Sequence, residues 1–201
     1  MHTTSGHSSD IDPQFLLNAY CKGFFPMAES REGEIGWFSP DPRGIIELDE
    51  FKVSRSLRQR IKQNLYEIRL DKHFENVVRS CGRRNETWIS ESIVRSYVRL
   101  FELGFAHSVE TWMGEELVGG LYGVAVKGAF FGESMFSTMR DASKVALAYL
   151  VARLKERGFV LLDTQYSTPH LARLGAKEIS RDEYLERLER ALRLQCTFIE
   201  R

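Results

Sequence analysis

The stretch AHSVETWMGEELVGGLYGVAVKGAFFGESMFSTMRDASKVALAYLVARLKERGFVLLDTQY, residues 106–166, decides the fold. Three strand-like segments, 107–112, 116–126 and 129–136, follow one another across short turns holding Gly114 and Gly128, which makes them a β-meander. Ala142 to Arg157 then carries Val145, Leu147, Ala148, Leu150, Val151 and Leu154, and Gly158 follows. That is a helix with a wide apolar face and a C-terminal stop. A further strand spans 159–166, so the meander is followed by a β-α-β return. The class is mixed α/β.

The same grammar extends outward. Upstream lie a strand at Gly44–Leu48, a helix at Ser54–Gln63, a strand at Tyr66–Leu70 and helices at His73–Cys81 and Ser90–Leu103, the last with Ser90 as N-cap and Gly104 as stop. Downstream come a short helix at 169–174, a strand at 176–179 and a charged amphipathic helix from Arg181. Phe15 to Lys22 reads as a helix ending at Gly23, and the aromatic, proline-rich run that follows to Pro42 as an irregular packed segment. The chain therefore divides into a disordered tail (1–10), a small N-terminal domain (11–43) and a main domain (44–201).

Composition narrows the class. The chain has 201 residues, 28 Lys plus Arg and 28 Asp plus Glu, so the net charge is zero and bulk polyanion binding is not signalled. Three cysteines, far apart and without a Cys-x-x-Cys pair, speak against a disulfide scaffold or zinc site and fit a cytoplasmic setting. The N-terminus has no apolar signal-peptide core, and no run approaches the roughly 18 residues of a membrane span. No P-loop or H-E-x-x-H motif is present, and the histidines are too dispersed for a metal cluster. Gly132-Glu-Ser134 lacks the rest of a nucleophile elbow. Gly119-Gly120-Leu-Tyr-Gly123 runs into a strand rather than a helix, so it suits close strand packing better than a dinucleotide.

Three patches carry chemistry. Period two puts Phe131, Glu133 and Met135 on one face, either an edge strand with Glu133 in solvent or a ligand pocket with one charge. Asp163 and Gln165 share a face at the C-terminal end of an apolar strand, where α/β sheets place active sites. On spacing alone, a cap on the next turn is an equal reading of Asp163. Finally, Lys52, Arg55, Arg58, Arg60, Lys62 and Arg69 face a single acid, Glu67; this is either a solvated helix face or a footprint for an anionic backbone.

Taken in order, Phe38-Ser-Pro-Asp-Pro-Arg43, Thr87-Trp-Ile89, Ala106-His-Ser-Val109, Leu117-Val-Gly-Gly-Leu-Tyr-Gly-Val124, Phe131-Gly-Glu-Ser-Met-Phe-Ser137, Ala142-Ser-Lys144 and Leu162-Asp-Thr-Gln165 closely resemble the leucyl/phenylalanyl-tRNA–protein transferase family. The resemblance runs from about Phe15 to Leu188. It implies a GNAT-like catalytic domain behind a small N-terminal domain. It also implies transfer of Leu or Phe, and less readily Met, from aminoacyl-tRNA to proteins starting with Arg or Lys, which creates a degradation signal. By motif, Trp88, Leu121, Glu133 and Met135 match positions lining the aminoacyl-adenosine pocket, with Leu150 at its back. Met27 stands where some members carry Trp. Asp163 and Gln165 match the catalytic pair, and Arg55, Arg58 and Lys62 are the candidate tRNA contacts. No cofactor, metal or membrane partner is implied. The expected division of labour has Asp163 orient the Gln165 side-chain amide, whose carbonyl oxygen meets the incoming amine. Two alternatives are an acetyl-CoA-dependent GNAT-type N-acetyltransferase, which needs a Gly-rich loop that Ser137–Ser143 does not supply, and a non-catalytic tRNA-binding module.

Overall fold

The structure, a computed structural model, describes residues 10–28, 30, 33–83 and 87–200. Of the tail expected over 1–10, residues 1–9 lie outside the described residues, and Asp10 accepts a hydrogen bond from Arg95 Nε at 2.9 Å.

The main sheet contains β3 (Arg43–Ile46), β4 (Glu67–Leu70), β5 (Ala106–Met113), β6 (Glu116–Val126), β7 (Ala129–Ser137), β8 (Leu161–Gln165) and β9 (Ala176–Ile179), in the order β4-β5-β6-β7-β8-β3-β9. Only β7 and β8 run parallel, as the crossover through helix α5 (Ala142–Glu156) requires. Strand alternation sends one set of side chains to each face, and each face is covered. One layer is α1 (Pro13–Cys21), α3 (Phe74–Cys81), α4 (Glu91–Glu102) and α7 (Arg181–Leu192); its core includes Tyr20, Val77, Tyr97, Phe131 and Tyr184. The other is α5 with α2 (Arg55–Lys62), α6 (Pro169–Ala172) and the C-terminal segment; its core includes Leu57, Phe130, Leu150 and Phe198. Burial of each such side chain favours folding by about 1.5–3 kcal/mol.

Local signals set the helix ends. Ser90 accepts the main-chain N–H of Ile93, Ser54 that of Leu57 and Thr168 that of Leu171. The N-terminal run is not irregular as expected: β1 (Phe25–Ala28) and β2 (Ile35–Phe38) pair as a two-stranded antiparallel sheet. Its prolines misled the reading because Pro26 sits where a two-stranded sheet tolerates a missing donor. The basic run also divides. Arg69 is taken up by Glu67 and Glu115 and lies over Trp112, whereas Arg55, Arg58 and Lys62 are exposed on α2 with no salt bridge among the described residues.

Candidate active site

The site begins with an interruption in β7. Gly123 pairs with Gly132 but Tyr122 pairs with Ser134, so Glu133 is an extra residue, a β-bulge. The glycine at 123 is required, because a Cβ there would lie 2.3 Å from the Phe131 carbonyl oxygen. The bulge shifts the side-chain alternation. Phe131 stays in the α3/α4 layer while Met135 packs into the α5 layer, so Phe131, Glu133 and Met135 do not share one face as period two suggested. Glu133 is also not on an edge strand, since β7 lies between β6 and β8.

The β7–β8 ladder runs from Ala129↔Leu161 to Phe131↔Asp163 and goes no further, although both strands continue. A cavity of about 480 Å³ occupies this gap, lined by residues from both core layers. β8 bulges here as well. Gly44 faces Gln165 and Ile45 faces Asp163, and Gln165 is left-handed at φ 57°, a conformation unfavourable for an L-residue. A Cβ on residue 44 would sit 2.4 Å from the Tyr166 carbonyl carbon, so glycine there is what lets the bulge form.

Asp163, fully buried, holds that bulge. Its Oδ1 accepts the main-chain N–H of Gln165 at 2.8 Å and Arg43 Nε at 2.9 Å. Its Oδ2 accepts Arg43 Nη2 at 2.6 Å and Tyr184 Oη at 2.7 Å. Arg43, equally buried, also donates to the Gly23 carbonyl and lies over the rings of Phe25 and Tyr184. The expected contact between Asp163 and the Gln165 side-chain amide is therefore not made. Four donors already saturate the carboxylate, and the positive φ turns the Gln165 side chain towards Glu133. Gln165 Nε2 instead donates to Glu133 Oε1 at 3.3 Å. Tyr20 donates to the same oxygen at 2.6 Å and Tyr97 to Oε2 at 2.8 Å. Burial pushes the Glu133 carboxyl up to about 7, against the two tyrosine donors. Burial also pushes both tyrosines well above their usual range, so they remain donors.

Of the residues expected in the pocket, Met27, Trp88, Leu121, Glu133, Met135, Leu150 and Gln165 all line this cavity. Asp163 lies behind the wall. Arg55, Arg58 and Lys62 lie away from the lining. Four polar residues of the site escaped the residue-by-residue reading: Tyr20, Arg43, Tyr97 and Tyr184. The available signal was a tyrosine in the apolar stripe of each of α1, α4 and α7, because a buried hydroxyl needs a partner.

A mostly antiparallel sheet with one parallel pair parting over a cleft is a GNAT-like α/β arrangement. A GCN5-related glucosamine N-acetyltransferase region of a fungal multidomain β-N-acetylglucosaminidase matches over 89% of this chain and 23% of its own, with a TM-score of 0.51 and 12% identity. That likeness concerns the fold alone. The chain itself belongs to the leucyl/phenylalanyl-tRNA–protein transferase family: the family's main model matches residues 45–189, and its N-terminal-domain model matches residues 9–41. Leucyl/phenylalanyl-tRNA–protein transferases of Gloeobacter violaceus and Maricaulis maris are 53% and 54% identical to it, over 94% and 91% of this chain and 97% and 87% of their own. The protein is thus an aminoacyltransferase, acting between aminoacyl-tRNA and protein. No helix among the described residues is long and apolar enough to cross a membrane.

Proposed function

We propose that the protein transfers Leu or Phe, and less readily Met, from aminoacyl-tRNA to the N-terminal α-amine of proteins beginning with Arg or Lys. The product is a degradation signal, and the setting is cytoplasmic. The observation carrying this reading is the cavity in the β7–β8 gap, where the polar pair Gln165–Glu133 faces an apolar wall of Leu121, Met135, Leu147, Leu150 and Leu162. An aminoacyl ester is already activated, and an α-amine with pKa of about 7.7–8.0 is partly neutral at pH 7. The reaction therefore needs positioning more than a covalent intermediate. In this reading the apolar wall holds the donor side chain, Trp88 and Met27 flank the adenosine, and Gln165 Oε1 accepts an N–H of the amine while its Nε2 is tied to Glu133. The decisive assay incubates the protein with labelled Leu-tRNA and proteins starting with Arg, Lys, Asp or Glu. Acid-precipitable label surviving ribonuclease on the Arg and Lys proteins supports the reading, and absence of label defeats it.

The acetyltransferase alternative is disfavoured at the start of α5, where the loop Ser137–Ser143 has no glycine and the N-cap Asp141 is held by Lys144 Nζ at 2.6 Å. Heat released on titration with acetyl-CoA would revive it. A purely tRNA-binding module would tolerate loss of Gln165.

Side-chain choice follows from the wall. Leu121, Met135 and Leu150 leave room for chains unbranched at Cβ, so Ile- and Val-tRNA are expected to be poorer donors than Leu-tRNA by about 10–200-fold. Competition between Leu- and Ile-tRNA measures the ratio, and equal transfer would refute the pocket assignment. The exposed face of α2 is expected to meet tRNA phosphates. Replacing Arg55, Arg58 or Lys62 by Ala should each flatten the salt dependence of tRNA binding by roughly one contact. Transfer from an aminoacyl-adenosine fragment should change little; unchanged salt slopes would leave α2 a solvated face.

A further inference from the structure

Three side chains at the cavity wall close a ring of four oxygens, two of them those of the Glu133 carboxyl. Tyr20 Oη lies 2.6 Å from Glu133 Oε1, Tyr97 Oη lies 2.8 Å from Glu133 Oε2, and the two phenol oxygens lie 2.5 Å from each other. Each contact needs one hydrogen, and two tyrosines supply two. With Glu133 ionised, one of the three contacts is left without a hydrogen. A third proton on the ring satisfies all three. The donors come from α1 and α4, far from Glu133 in sequence, and their rings pack against Phe131 and Tyr122, so the ring cannot simply open to water. Here a carboxylate is built to receive a proton that completes all three contacts of the ring.

The ring also stands in the right place. Glu133 lines the cavity and accepts Gln165 Nε2, so an amine held at Gln165 Oε1 is one amide group away. A neutral amide is too weak a base to keep a proton, which leaves the reaction in need of a second group.

We propose that Glu133, closed into a ring with Tyr20 and Tyr97, is the proton-accepting catalytic residue of aminoacyl transfer. The inference rests on the transferase reading above. As the acceptor nitrogen bonds to the ester carbonyl carbon, its N–H proton goes to Gln165 Oε1 while Gln165 Nε2 gives one of its own to Glu133 Oε1. As the carbonyl carbon–ribose oxygen bond breaks, the Glu133 carboxyl returns a proton to Nε2 and Oε1 releases its proton to the departing oxygen. A peptide bond and a ribose hydroxyl result, and Glu133 is regenerated. A carboxyl near 7 suits both halves of this exchange at neutral pH. The groups that set it, besides burial, are Tyr20 from α1, Tyr97 from α4, Asp163 from β8, which raises it, and Arg43 from β3, which lowers it.

The test combines a direct titration with rates. The side-chain carboxyl carbon of Glu133, assigned in ¹³C-Glu-labelled protein by its loss in Glu133→Gln, is expected to titrate near pH 7. The pH profile of kcat should show an acidic limb at the same place. Glu133→Gln should lower kcat by about 10²–10⁴-fold, remove that limb and leave KM for Leu-tRNA within a few-fold. The acceptor amine titrates identically in both proteins, so the difference between profiles isolates Glu133. Should Glu133→Gln fail to fold, Tyr97→Phe, which takes away the donor to Oε2, should move the limb to higher pH. A Glu133 carboxyl titrating near 4.5, or a limb unchanged in these variants, overturns the proton-accepting role while leaving the transferase reading intact. A wild-type protein that transfers nothing overturns both.

Discussion

Gln165→Ala is expected to lower kcat for transfer by about 10²–10⁴-fold with little change in KM for aminoacyl-tRNA. In the proposed reading the donor side chain is held by Leu121, Met135, Leu147, Leu150 and Leu162, so ground-state binding of the tRNA end should survive loss of Gln165. What disappears is the carbonyl oxygen that meets the acceptor in the proposed reading: Nε2 is bonded to Glu133, and the main chain at Gln165 is left-handed at φ 57°. Gln165→Glu keeps the size but sets a second carboxylate against Glu133, so it should not restore the rate. Single-turnover transfer at saturating Leu-tRNA, with varied acceptor, measures the effect. A Gln165→Ala enzyme near the wild-type rate would move the chemistry elsewhere in the cavity.

The second large effect belongs to Asp163, and it divides between stability and rate. Asp163→Ala strands the Arg43 guanidinium, which is fully buried and bound bidentately to that carboxylate. Removing one partner of a buried pair costs about 3–5 kcal/mol, or roughly 6–20 °C in melting temperature for a chain of this size. Asp163→Asn is the more informative change. Its amide would point a donor at Arg43 Nη2 and Tyr184 Oη, which already donate, or else turn and lose the Gln165 main-chain N–H. Either way the bulge loosens and transfer slows. Because Gln165 is the one cavity-lining residue that the Asp163 carboxylate hydrogen-bonds among the described residues, Asp163→Asn in a Gln165→Ala background should cost little further rate, although its loss of melting temperature persists. Independent, multiplying rate losses would mean that Asp163 reaches the substrate itself.

These expectations depend on details that are unequally visible along the chain. The helix N-caps Ser54, Ser90, Thr168 and Ser180, the helix stops at Gly104 and Gly158, and the strand–helix order from 44 to 179 all follow from residues within a turn or two of one another. Capping and side-chain alternation are local, so a mixed α/β chain with a meander and a β-α-β return was legible from the residues alone. Leu121, Met135 and Leu150, named by motif, line the cavity, whereas the acid bonded to the Gln165 side chain is Glu133 and not the expected Asp163.

The identity of that acid was not legible. Period two treats every strand as regular, whereas the bulges at Glu133 and Thr164 exist because Gly123 and Gly44 let a neighbouring strand approach where any Cβ would collide. Once the strands bulge, Asp163 turns to Arg43 and Tyr184, and Gln165 turns to Glu133. The partners lie at 20, 43, 97, 133, 165 and 184, on six different elements that meet only when the layer of α1, α4 and α7 closes on the sheet. By itself the sequence determined which elements form from residue 44 onward and, away from the bulges, which face of each is apolar, since those are set by neighbours in the chain. Tertiary structure alone decided which polar atoms bond, because a buried donor takes whatever acceptor the packing leaves within reach.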